Sequence, residues 1–216
     1  MARRRKVGNL MALIVLATLA ERPSHPYELA SLLRARGKDQ DVTIKWGSLY
    51  TVVQNLEKHG FIEATESTRQ GRRPERTVYA VTEAGRAELL DWLQELIAVP
   101  EREHTRFQAA LSVLGILGPD AAIALLRQRS AALDAQIAAQ RAALAEYGRE
   151  IPRIFLIESE YELALRAAEA QWLRGFLTEL TDGTLPGIAD WRRFHETGHV
   201  PPELAELAER DRVRDD

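Results

Sequence analysis

The sequence predicts a mostly α-helical chain with one small β-hairpin. The hairpin follows three helices in the first half, and an antiparallel pair of long, coiled-coil-like helices fills the second. Three observations predict this. Leu49, Val52, Val53 and Leu56 recur at helical spacing just before two short strand-like runs. Those runs, 61–66 and 77–82, flank a turn marked by Gly71 and Pro74. Finally, residues 119–147 and 154–180 both carry apolar side chains three and four apart, with Gly148 and Pro152 between them.

The first helix is expected over residues 7–20. It is apolar on most sides, as a helix surrounded by neighbours should be. Arg3, Arg4, Arg5 and Lys6 ahead of it also give it the look of a secretory signal. The apolar run is too short to span a bilayer. Its removal would also strip the next helices of a packing partner, so a buried helix is expected. Residues 21–25 read as a turn. Pro26 suits the first turn of a second helix, where its missing N–H costs nothing. His25 or Ser24 would cap that helix, with Tyr27, Leu29, Ala30, Leu32 and Leu33 as its apolar face up to residue 35. The third helix, 44–59, ends at Gly60, a residue suited to a helix C-terminus. Three helices and a hairpin make a winged helix-turn-helix. Thr82 should cap a fourth helix that runs through Leu89, Leu90, Trp92, Leu93 and Leu96 to about residue 99, before Pro100.

The remainder is almost all helix. Phe107, Leu111 and Leu114 share one face of a short element. The long helix 119–147 presents Ile123, Leu126, Ser130, Leu133, Ile137, Gln140, Leu144 and Tyr147 as a seam with two polar interruptions, where Ser130 and Gln140 can set register. At a rise of ~1.5 Å per residue it is on the order of 40 Å long. Its partner helix should face it with Ile154, Ile157, Tyr161, Leu165, Ala168, Trp172 and Phe176. A small element over 187–194 and a charged tail follow. The expected domains are 1–98, a winged helix-turn-helix; 99–182, a helical dimerisation domain; and 183–216, an extension.

Charge is unevenly distributed. Residues 1–90 hold 15 Lys and Arg against 10 Asp and Glu, and residues 91–216 hold 14 against 22, so a basic front precedes an acidic back in a chain of net charge -3. A basic front suits phosphate. Cysteine is absent, which excludes disulfides, thiolate nucleophiles and cysteine-held zinc.

The chemistry concentrates on residues 45–77. Opposite the apolar stripe of the third helix lie Thr51, Gln54 and Lys58, flanked by Tyr50 and Asn55, with no carboxylate at the centre of that face. Beside it, the loop 67–77 carries Arg69, Arg72, Arg73 and Arg76. This pairing suits duplex DNA. The arginines, Lys58 and a flexible arm of Arg3 to Lys6 are the phosphate candidates. Gln54 and Asn55 can offer paired donor and acceptor atoms to adenine, and Thr51 can touch a thymine methyl. Tyr50 can equally seal the core.

Several motifs are shared with one family. Gly47, Ser48, Leu49 and Tyr50, then Leu56, Glu57, Gly60, Phe61 and Ile62, then the run from Gly71 to Gly85, with Tyr27, Glu28 and Leu29 upstream, resemble the PadR family of bacterial transcriptional regulators. The resemblance covers about residues 10–95. The long C-terminal helices resemble those of the larger PadR subfamily. The resemblance implies a cytoplasmic homodimer that binds an operator, usually as a repressor, with release by a small molecule. It places the third helix in the major groove and the wing on the backbone or minor groove. Carried onto this chain, Ser48, Tyr50, Thr51, Gln54, Asn55, Arg72, Arg73 and Arg76 face DNA, and Lys45, Lys58 and Arg69 complete the expected set.

Trp92, Tyr147, Tyr161 and Trp172 are candidates for an aromatic effector pocket, although aromatic residues at helical spacing are more often packing. No cofactor, metal, membrane contact or enzymatic activity is expected. Two rival readings exist. His195, Glu196, Thr197, Gly198 and His199 fit the H-E-x-x-H pattern of zinc hydrolases, which needs both histidines on one helical face. Gly198 and the following Pro201 and Pro202 oppose such a helix. A winged helix used only for protein contacts is the other.

Overall fold

The computed structural model describes residues 5–35, 46–68 and 76–198, with the side chains at 35, 46–48, 66–68 and 76 outside that description. The chain divides into two compact units, Met1–Arg102 and Glu103–Asp216.

In the first unit, α1 (Leu10–Glu21) starts later than its hydropathy suggests, because Asn9 caps it by accepting from the Met11 N–H at 2.9 Å. Met11, Ala12, Val15, Leu16 and Leu19 are buried, and α1 packs on the third helix, the fourth helix and the hairpin. The apolar N-terminal run is thus the centre of a core. α2 (Pro26–Ala35) is capped reciprocally. His25 Nδ1 accepts from the Tyr27 N–H at 3.1 Å, and the His25 N–H donates to Glu28 Oε2 at 3.3 Å. Leu29, Ala30 and Leu33 are buried and Leu32 is half-buried, but Tyr27 is 66% exposed. The expected apolar face therefore loses Tyr27: two residues from Leu29, it points to nearly the opposite side of the helix.

α3 (Trp46–Lys58) buries Leu49, Val52, Val53 and Leu56. It ends at Gly60, whose φ of 74° is left-handed. The Gly60 N–H donates to the Glu57 carbonyl and the Phe61 N–H to the Leu56 carbonyl, both at 2.9 Å, a Schellman closure with Phe61 packed into the same core. β1 (Ile62–Thr68) and β2 (Arg76–Val81) then pair antiparallel from Ile62↔Val81 to Thr68↔Arg76, with an irregularity between Ala64 and Glu66. Ser24, expected in a plain turn, also pairs with Tyr79, exchanging hydrogen bonds of 3.0 and 3.1 Å.

Thr82 caps α4 (Glu83–Ala98), accepting from the Gly85 N–H at 3.0 Å. A side chain at Gly85 would place its Cβ 1.9 Å from the Phe61 carbonyl oxygen, so only glycine lets α4 lie against the turn that ends α3. Of the apolar residues expected along α4, Trp92 is buried and Leu89 is partly so, while Leu90, Leu93 and Leu96 are exposed.

In the second unit, α5 (Arg106–Leu111) is capped by Thr105 and followed by a 3-10 turn, Leu114–Ile116. α6 (Pro119–Tyr147) and α7 (Ile157–Asp182) pack along each other, joined through a second 3-10 turn, Arg153–Phe155. Gly183, with φ 72°, ends α7, and α8 (Ile188–Thr197) returns to pack on α6. The seam of α6 forms as expected, with Ile123, Leu126, Leu133 and Ile137 buried and Ser130, Gln140 and Leu144 half-buried, but Tyr147 at its end is exposed. The Gln140 amide donates to the Ser159 carbonyl at 2.9 Å and to Glu162 at 3.0 Å, and accepts from Arg166, which ties the two helices at one register.

The face of α7 corrects the sequence reading. The residues packed against α6 are Leu163, Ala170, Leu173, Leu177 and Leu180, with Phe176 half-buried beside them. Ile157, Tyr161, Leu165 and Trp172 are exposed, as is Ile154 ahead of the helix. α7 carries two apolar stripes on opposite faces, and periodicity alone does not say which one meets α6.

Candidate nucleic-acid interface

The burial of Leu49, Val52, Val53 and Leu56 fixes the rotation of α3. Thr51, Gln54, Asn55 and Lys58 are exposed on its other side, and Tyr50 is 52% exposed, so Tyr50 does not seal the core. The carboxylate on this helix is turned aside. Glu57 Oε2 accepts from the Tyr79 hydroxyl of β2 at 3.3 Å. Burial, and after it the Glu57 charge, raises the Tyr79 hydroxyl above the ordinary tyrosine range, in keeping with its role as the donor of this bond. α3 and the hairpin are thereby held together by a side-chain bond as well as by the core.

The other expected contact residues are placed unequally. Ser48 lies in the first turn of α3 and Arg76 opens β2, with both side chains outside the description. Lys45, Arg69, Arg72 and Arg73 lie outside the described residues, as do Arg3 and Arg4. Arg5 is a correction. Its side chain is 4% exposed and pairs with Glu88 at 2.8 Å, Asp91 at 3.1 Å and Glu95, all on α4. Its guanidinium also sits 5.3 Å from the centre of the Trp92 ring. Bound to three carboxylates, Arg5 is a structural clasp and not part of a free phosphate-seeking arm. Lys6 beside it is exposed.

The four aromatic effector candidates do not form one site within either unit. Trp92 fills the core of the first unit. In the second, Tyr147 and Tyr161 are exposed, and Trp172 stacks on Phe176 at 5.2 Å and meets Phe107 edge-on at 6.3 Å. The groove between α6 and α7, about 340 Å³, is lined instead by Ile137, Ala138, Ala167, Gln171, Arg141 and the Asp134–Arg174 ion pair.

The H-E-x-x-H motif loses its helix. His195 and Glu196 lie in the last turn of α8, but Gly198 closes that helix with φ 73°, and His199 falls beyond it, outside the described residues. His195 Nε2 lies 2.9 Å from the Gly115 carbonyl. Among the described residues, no helix is long and apolar enough to cross a membrane.

Three helices, a two-stranded hairpin pinned at Ser24, and a recognition-type helix with an exposed polar face define a winged helix-turn-helix. The model of the PadR-like transcriptional regulator family matches residues 15–91. A Mycobacterium tuberculosis protein named as a probable transcriptional regulator is 33% identical over 85 residues, which cover 38% of this chain and 42% of that protein. The chain thus spans about two fifths of that relative. Bacillus subtilis PadR in complex with operator DNA is similar at TM-score 0.64 and 20% identity, over 80% of this chain and 99% of that one. The same protein with p-coumaric acid gives TM-score 0.65 and 17% identity over the same shares. Over residues 15–91 the winged-helix unit is thus similar to the PadR-like transcriptional regulator family.

Proposed function

We propose that the protein is a homodimeric transcriptional regulator, acting as a repressor, that binds a pseudo-palindromic operator with α3 in the major groove and the hairpin tip on the backbone or minor groove. The observation that carries this reading is the polar face of α3. Tyr50, Thr51, Gln54, Asn55 and Lys58 stand exposed above a fully buried apolar stripe, next to a hairpin whose tip sequence holds Arg69, Arg72, Arg73 and Arg76. Phosphate contacts supply affinity and base contacts supply sequence preference. The operator complex of Bacillus subtilis PadR supports the partner class, and its p-coumaric acid complex supports a small aromatic effector.

The second apolar stripe of α7 supports the homodimer. Ile157, Tyr161, Leu165 and Trp172 lie exposed along one face. Fully burying such side chains is worth about 1.5–3 kcal/mol each, so a second copy of the same helix is a fitting cover. A twofold pair would present two copies of α3, and half-sites about 34 Å apart would match one turn of DNA.

Replacing Arg72, Arg73 and Arg76 together with Ala tests the wing. Binding should weaken on every duplex, and the slope of log affinity against log salt should flatten by ~0.9 per lost phosphate contact. Gln54→Ala should instead change sequence preference at one or two base pairs, with discrimination falling by about 1–3 kcal/mol. Unchanged affinity in the triple variant, or a uniform loss across sites for Gln54→Ala, contradicts the assignment.

A further inference from the structure

Tyr27 faces away from the core of the first unit. A tyrosine 66% exposed near the start of a helix that buries Leu29, Ala30 and Leu33 contributes little to the core. It lines a surface groove of about 480 Å³ with Arg22, Pro23, Glu28, Ser31 and Leu32. Arg22 is exposed, and among the described residues its side chain has no ion-pair or hydrogen-bond partner. The Ser31 hydroxyl and one oxygen of the exposed Glu28 carboxylate already have partners. The Ser31 hydroxyl donates to the Tyr27 carbonyl at 3.1 Å, and Glu28 accepts from the His25 N–H at 3.3 Å. Two donors therefore remain for a ligand, one cationic and one neutral, beside the apolar walls of Pro23 and Leu32.

The groove is also fixed to the candidate DNA surface. Between Arg22 and Tyr27 in the chain, Ser24 exchanges two backbone hydrogen bonds with Tyr79 of β2, and the Tyr79 hydroxyl donates to Glu57 of α3. Buried Ser24 thus ties the entrance of α2 to the hairpin, and half-buried Tyr79 ties the hairpin to α3. In a helix-turn-helix the first helix crosses the phosphate backbone while the second lies in the groove.

We propose that Arg22 and Tyr27 form a phosphate clamp at the start of α2. The Arg22 guanidinium and the Tyr27 hydroxyl donate to one DNA phosphate, and the adjoining deoxyribose rests on Pro23 and Leu32. The clamp rests on the DNA-binding reading above and adds a contact outside α3 and the wing. It fixes the angle at which α3 enters the groove and carries no base information.

The two donors leave different signatures. Arg22→Ala removes a cation that displaces a counterion, so the salt slope should fall by ~0.9 per protomer. Tyr27→Phe removes only a hydroxyl, so affinity should fall about ten-fold, the lower end for one hydrogen bond to a charged group, with the slope unchanged. Both side chains are exposed, so thermal melting should match wild type. The probe is a random-sequence duplex about three helical turns long, titrated across a salt series by fluorescence anisotropy, because a phosphate contact needs no operator. If wild type binds this duplex and both variants bind with wild-type affinity and slope, the clamp is overturned while the DNA-binding reading stands. If wild type binds no duplex of any sequence, both fall together.

Discussion

Helices α3 and α7 each bury one apolar stripe against their neighbours, and they differ in what occupies the far side. On α3 the far side is Thr51, Gln54, Asn55 and Lys58, all exposed. On α7 it is Ile157, Tyr161, Leu165 and Trp172, also exposed. The same amphipathic logic therefore produces two kinds of surface. A polar far side can be left in water at no cost and is free to exchange hydration for bases and phosphates. An apolar far side is costly in water and fits another apolar surface. On the proposed reading, the first surface meets DNA and the second meets another copy of the same helix.

The most severe way to break the comparison lies outside both helices. Gly85→Ala forces a Cβ against the Phe61 carbonyl, the group that receives the Thr82 N–H at 3.0 Å where α3 ends. Backbone has to move, and a loss above about 4 kcal/mol is expected, in the range reserved for such steric faults. A denaturant midpoint within experimental error of wild type would show that α4 does not lean on this turn.

A sharper division comes from two leucines on α7. Leu173→Ala opens a cavity in the buried seam and should cost about 2–5 kcal/mol of stability. Leu165→Ala, on the opposite face, should leave the fold of the isolated protomer intact and raise the dimer dissociation constant. Denaturation and sedimentation on both variants separate the faces. Equal losses of stability with unchanged association would erase the distinction.

The smallest effect concerns the turn into α7. Arg153 donates from Nε to Glu160 Oε1 at 3.0 Å and from Nη2 to Oε2 at 2.9 Å, and this bidentate contact holds the Glu160 carboxyl below the ordinary range, on the surface of the protein. A lowered folded-state pKa stabilises above the unfolded value and loses that contribution as pH falls through the folded one. An NMR titration of Glu160 should therefore move upward in Arg153→Ala, with little change in melting. An unmoved titration would show that the pair does not persist in solution.

Which of these features were legible follows from how local their causes are. The stripe of α3, its stop at Gly60, the cap at Thr82 and the seam of α6 are set by residues within a few positions of one another, and each formed as the spacing predicts. The orientation of α7 was not legible, because two apolar stripes satisfy the same period. The Ser24–Tyr79 bridge is a one-residue strand and has no alternation to read. Arg5 read as part of a basic arm because Glu88, Asp91 and Glu95 lie more than eighty positions away in sequence. Tyr27 read as core because composition says apolar where rotation about the helix says outside. The exposed polar face was thus visible on α3, where a single stripe fixes rotation, and the outward position of Tyr27 on α2 was not, because an aromatic residue reads as core.

Hydroxyl-radical footprinting of the full-length protein on its genomic target tests the central claim most directly. Two protected patches related by a twofold axis, centred about one helical turn apart, near 34 Å, are expected. Gln54→Ala should relax the base preference within each patch. A single unpaired patch, or duplex binding that ignores both sequence and salt, would contradict it.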